Sequence, residues 1–175
     1  MKNTKSILQT SMMIAVGIAI VSVLKNFGGQ TILKLFSPMH FPVILAGFAI
    51  GPIGGLLCGI LTPMLSHLFN GMPDIMTAIG MVFELGTYGL LCGLGMKVIK
   101  KPLYTPKIYM ILICAMLVGR IVGGLVKGFI LMPNEYSFDI WFKAYFIGTY
   151  PAIIVDLLLI PIIVKALDKA GLISK

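Results

Sequence analysis

Charge is what this sequence has least of. Only 11% of its 175 residues are charged, six of them acidic, where an ordinary soluble domain carries about 25% charged residues. That is too little polar side chain to cover a water-facing surface, and a soluble enzyme and a disordered chain are both excluded. The chain has one tryptophan, two histidines and three cysteines. Cys58, Cys92 and Cys114 each sit inside an apolar run, with no C-x-x-C pair and no histidine at ligand spacing. They read as small packing residues, and a secreted disulfide scaffold is excluded. Catalytic signatures are missing as well: no nucleophile stands beside a base, no H-E-x-x-H occurs, and no phosphate-cradling glycine loop precedes Lys-Ser/Thr.

What is present is apolar sequence, 58% of the chain, with 20 glycines and 10 prolines. Both residues are more frequent in membrane helices, where neighbouring helices satisfy freed backbone groups. The chain therefore reads as an all-α integral membrane protein. Its net charge of +8 comes from 14 basic residues scattered at segment ends, with no patch interleaved with exposed aromatics. Such charges set topology and do not point to nucleic acid.

Breaks by charge, Gly-Pro and Asn-Gly punctuation predict spans at 6–26, 40–50, 52–69, 75–98, 107–132 and 141–167 in a single domain, 1–175. The run after Met1-Lys2-Asn3-Thr4-Lys5 has no small-x-small cleavage site and is long enough to span, so it is kept as the first helix. The ten residues from Phe41 to Ile50 cover only about 15 Å of a hydrocarbon core about 30 Å thick, the length of a half-helix. Lys2 and Lys5, the group Lys97, Lys100, Lys101 and Lys107, and Lys165, Lys169 and Lys175 form three basic clusters. Placing all three in the cytoplasm demands an even number of crossings before residue 97 and an even total. The expectation is a six-transmembrane-helix bundle with both termini cytoplasmic. The opposite face receives the loops at 28–39, 70–74 and 133–140, which are less basic.

Small residues recur at four-residue spacing: Ala15 and Ala19; Gly51, Gly55 and Gly59; Gly89 and Gly93; Gly119 and Gly123; Gly124 and Gly128. This spacing lets helix backbones approach closely, either within the bundle or against another membrane protein. Four ionisable groups fall inside spans, Glu84, Arg120, Lys127 and Asp156, and each costs a few kcal/mol or more when unpaired. Counting about 1.5 Å per residue from the outer ends, Glu84 lies about 14 Å down and Arg120 about 18 Å, so they can meet. One reading is a self-neutralising ion pair; the other makes the pair the floor of a ligand pocket. Lys127 lies two turns from Arg120 on the same helix face, and Tyr88 one turn from Glu84. Trp141, Tyr145 and Tyr150 begin the last span as an aromatic belt or as ligand-stacking groups. His40 follows the Phe36-Ser37-Pro38-Met39 loop as a candidate contact, His67 reads as a satisfied interfacial histidine, and Asn70 belongs to a turn able to cap a pocket. Asp156, about 22 Å down, is too deep to work with Glu84 as an acid–base pair.

Ala15-x-x-x-Ala19, Pro38-Met39-His40-Phe41-Pro42-Val43, Gly71-Met72-Pro73, Phe83-Glu84-Leu85-x-x-Tyr88-Gly89 and Gly119-Arg120 with Gly123 together carry a resemblance. In this order, and over essentially the whole chain, they resemble the substrate-binding S component of energy-coupling factor (ECF) transporters, prokaryotic vitamin uptake systems. The resemblance implies a non-enzymatic, multi-pass protein of the prokaryotic plasma membrane that binds a water-soluble vitamin or precursor at its outer face. It implies docking through Ala15 and Ala19 onto a transmembrane T component joined to two cytoplasmic ATPases, which use the ATP; the chain itself binds no cofactor or metal. Candidate substrate-binding residues are Glu84, Arg120, Tyr88, Lys127, His40, Asn70 and Tyr145. The cationic groups favour pantothenate, and the single tryptophan favours a small ligand such as a pyridoxine- or hydroxymethylpyrimidine-like compound over a large flat ring. The alternatives are a small intramembrane enzyme acting on a lipid-linked substrate, with Glu84 or Asp156 as base, and a membrane assembly protein.

Overall fold

The computed structural model describes residues 2–98, 105–133 and 135–173. Among them every regular element is helical: α1 (Lys2–Phe36), α2 (His40–Ile50), α3 (Pro52–Asn70), α4 (Ile75–Val98), α5 (Thr105–Val126), α6 (Phe138–Phe142) and α7 (Tyr150–Lys169). π-helical turns extend α5 over Lys127–Leu131 and α6 over Lys143–Ile147. Five helical stretches are long and apolar enough to cross a membrane: Thr4–Phe36, Pro52–Asn70, Ile75–Val98, Thr105–Leu131 and Tyr150–Lys169.

The shortest helix occupies the centre. α2 is apolar on all sides, as a helix surrounded by protein must be, and all its residues except Phe41 are buried. It packs against α1, α3, α4 and α7. His40 at its start reaches Glu84, nine residues below the start of α4, and the Gly51-Pro52 turn at its end abuts Gly93. α2 therefore fills only the half of the bundle away from the 70–74 loop. Gly51 makes that turn with φ +108°, and Pro52 opens α3 where its missing N–H is not needed.

The most extensive helix contact is between α3 and α4. Gly47, Gly55 and Gly89 meet at one point, where a Cβ on Gly55 or Gly89 would run into the other's backbone. Dispersion over that close approach holds the helices together where lipid supplies no hydrophobic drive. The large exposed apolar side chains Ile7, Leu8, Met12, Val16 and Val23 of α1 suit contact with lipid. Ala15 and Ala19 are also exposed, whereas Gly17 turns inward onto Thr62 and Pro42.

Two stretches differ from the expected spans. The first helix does not end at residue 26: it bends at Gly28–Gly29, where Gly29 has φ +58°, and resumes helical geometry to Phe36, so the expected 28–39 loop shrinks to a turn at Ser37–Met39. Glycine tolerates that left-handed backbone, and the kink redirects the chain instead of ending it. The expected span 141–167 is broken at Gly148–Thr149. Pro151 near the start of α7 cannot donate to the preceding turn and would clash with it, so a new helix must begin there. Lys100, Lys101 and Lys175, part of the basic clusters, lie outside the described residues.

Candidate functional site

One end of the bundle encloses a cavity of about 440 Å³. The chain reaches it from six directions: the end of α1 (Gln30, Leu33, Lys34), the turn into α2 (Ser37 to His40), the loop after α3 (Met72 to Asp74), the start of α4 (Thr77, Met81, Glu84), Lys127, and the broken helix around Tyr145 and Thr149. Because α2 begins deep, its upper half-length is missing, and the segment from Gly28 to Met39 becomes wall. The loop is anchored through main-chain carbonyls: Ser66 donates to Met72 O at 2.8 Å, and His67 Nδ1 lies 2.7 Å from Pro73 O. His67 is thus a satisfied histidine. Asp74 caps α4, its Oδ1 accepting from Thr77 N at 3.0 Å, and these bonds from Thr77 hold its carboxyl below the ordinary 3.8.

At the floor, Glu84 is 5% exposed. Tyr88 Oη donates to its Oε1 at 2.6 Å, and His40 Nε2 stands 3.4 Å from the same oxygen while His40 Nδ1 lies 2.9 Å from Ser37 O. Arg120 does not pair with Glu84 directly. Its Nε donates to Tyr88 Oη at 3.2 Å, so the phenol stands between cation and anion. Another nitrogen of Arg120 donates to Tyr145 O, which also accepts from Thr149 Oγ1 at 2.7 Å. These donors serve a carbonyl at the helix break. The guanidinium lies 5.2 Å from the centre of the Phe146 ring, and Trp141 Nε1 donates to Arg120 O at 3.0 Å. Gly119 seats the Tyr88 ring, Gly123 faces Glu84 and the Tyr145 hydroxyl, and Gly124 seats the Trp141 indole. On α5, then, small residues make room for side chains of the site.

The expected residues divide into three sets. His40, Glu84, Lys127 and Tyr145 line the cavity; Tyr88 and Arg120 lie behind its floor; Asn70 lies outside it. Asn70 instead ties α3 to α1, accepting from Ser22 Oγ at 2.8 Å through its side chain and from Lys25 Nζ at 2.7 Å through its carbonyl. Gln30, Lys34 and Asp74, which fall in the expected 28–39 and 70–74 loops, also line the cavity. The first two lie beyond Gly28-Gly29, a pair that reads in the sequence as the end of the helix and not as a bend within it. Three lining residues, Lys127, Ala144 and Tyr145, lie in π-helical turns, a local geometry that recurs at functional sites. Among the described residues, the hydroxyls of Tyr136 and Tyr145 and Oδ2 of Asp156 are buried without a hydrogen-bond partner. No group of three or more His, Cys, Asp or Glu able to hold a metal occurs among the described residues.

A helical membrane bundle with a polar-floored cavity at one end defines a solute-binding membrane protein. The family model for the ECF transporter substrate-specific component matches residues 9–174, and the chain belongs to that family. No curated protein and no solved structure matches it. As a family member it is a substrate-binding subunit of an ECF transporter and not an enzyme, with a small-molecule substrate and with T-component and ATPase partners.

Proposed function

We propose that this chain is the high-affinity binding subunit for a water-soluble vitamin or vitamin precursor, with pantothenate or a pyridoxine- or hydroxymethylpyrimidine-like compound as the leading candidates. The cavity carries this reading: its volume of about 440 Å³ suits a small solute. Its apolar wall of Val21, Leu33, Met39 and Met81 would take the carbon skeleton, and its polar floor the hydroxyl or amide groups.

The protein works in a prokaryotic plasma membrane with six crossings and both termini in the cytoplasm, α2 counting as one. Lys97, Lys107, Lys165 and Lys169 sit at the ends of α4, α5 and α7 away from the cavity, which supports a cavity that opens outward under the positive-inside rule. Ala15 and Ala19 form the docking face for the T component. Their exposure on α1 supports that role. Two partner ATPases consume the ATP, and this chain takes no cofactor. Native mass spectrometry of the protein purified in mild detergent from cells grown in rich medium tests the reading. A vitamin-sized adduct is expected; an apo mass that stays unshifted by every B vitamin and precursor would overturn it.

A further inference from the structure

Lys127 and Lys34 are the two cations of the cavity wall, and neither ammonium has a hydrogen-bond or ion-pair partner among the described residues. Lys127 is held in place. Its stem lies on Gly80, where a Cβ would stand 2.8 Å from Cε, and its Nζ sits 5.4 Å from the centre of the Tyr145 ring. Glu84 and Asp74 attract it across the cavity, and Lys34 repels it more weakly than either attracts. The wall has two carboxylates, and both are engaged: Glu84 accepts from Tyr88 and faces His40, and Asp74 caps α4. Arg120 is committed to Tyr88 and Tyr145 behind the floor. Glu84 and Asp74 attract Lys127 only from beyond ion-pair distance, and a cation in a membrane-spanning helix with no anion in direct contact is expensive to keep. The missing partner is one the solute can bring.

We propose that the bound solute carries a carboxylate and that this group is seated between the ammonium groups of Lys34 and Lys127, with its hydroxyl or amide groups directed to the Glu84 floor. The inference rests on the cavity being the solute site. Two compact point-charge donors suit a single carboxylate, and the guanidinium that would favour bidentate recognition is turned away. At the Lys34–Lys127 end of the cavity the same arrangement disfavours a cationic group.

The test uses the full chain in mild detergent, with Trp141 as the only tryptophan and therefore a fluorescence reporter 6.4 Å from the Tyr145 ring. Pantothenate and its neutral alcohol counterpart panthenol, pyridoxine and the hydroxymethylpyrimidine alcohol are titrated against the native chain and against Lys127→Gln, Lys127→Arg and Lys34→Gln. Pantothenate is expected to bind, panthenol at least about tenfold more weakly. Lys127→Gln should cost pantothenate about tenfold or more, leave panthenol unchanged, and be largely restored in Lys127→Arg. Lys34→Gln, at an exposed position, tests the subsite without touching the packed interior. Tighter binding of a neutral probe, or carboxylate binding indifferent to both lysines, would overturn the carboxylate seat and leave the vitamin-binding reading standing. The same holds for any solute found by native mass spectrometry: a neutral or cationic one sinks the seat. If no probe binds and no solute co-purifies, both readings fall.

Discussion

Tyr88 is the residue on which the floor depends. Its hydroxyl donates to Glu84 and accepts from Arg120, so one oxygen satisfies a buried anion and a buried cation. Tyr88→Phe removes that oxygen at nearly constant volume and leaves both neighbours short of a partner. A loss of about 1–3 kcal/mol is expected, read as a lower melting temperature in detergent. Glu84→Gln with Arg120→Gln should lose less than the sum of the two single variants, since neither then leaves an orphaned charge. Retained ligand binding in that double variant would make the pair a scaffold beneath the site. Asp74 gives a pH-dependent contribution. Its carboxyl is held below its ordinary value in the folded chain, so the stabilisation is complete above that value and is lost as pH falls through the depressed one. Asp74→Ala should remove the cap, at about 1 kcal/mol, and flatten the acid limb of the stability profile.

Among the helices, the junction of Gly47, Gly55 and Gly89 is the point least able to yield. Gly89→Val places a branched side chain against α3 backbone, and loss of monodisperse protein or a clear fall in thermal stability is expected from overpacking. Ala15 and Ala19 are the opposite case, exposed and without bundle partners to disturb. Ala15→Trp or Ala19→Trp should preserve solute binding and abolish uptake in cells supplying the partner subunits; equal loss of both would remove the docking role. The helix ends at Ile50 and Asn70 could be read locally, since Gly51-Pro52 and Asn70-Gly71-Met72-Pro73-Asp74 interrupt the apolar pattern there. The kinked end of α1 could not, because Gly28-Gly29 and Lys34 look the same in a loop as in a bent helix. That Glu84 and Arg120 lie at depths close enough to meet followed from helical rise alone. The insertion of Tyr88 between them did not, because periodicity within a helix carries no information on which side chain of a neighbour arrives first.

For the whole molecule, the bundle divides into a close-packed half around α2 and an open half around the cavity. The proposed orientation places Glu135 outside and Lys169 inside. In a chain freed of its three cysteines, a cysteine at 135 should react with a membrane-impermeant maleimide in intact cells. One at 169 should react only after permeabilisation, and the reverse pattern would invert the topology.

α2 is eleven residues long, about 16 Å of rise in a core about 30 Å thick. The solute site is in that sense a shortfall of helix, a socket left where roughly ten residues of a full span would stand. The short arm from Gly28 to Met39 supplies one side of it without belonging to the glycine-locked frame. Exchanging that arm changes the shape and charge of the socket while leaving the α2–α3–α4 junction untouched. One frame can therefore serve solutes of different sizes through edits to about a dozen positions.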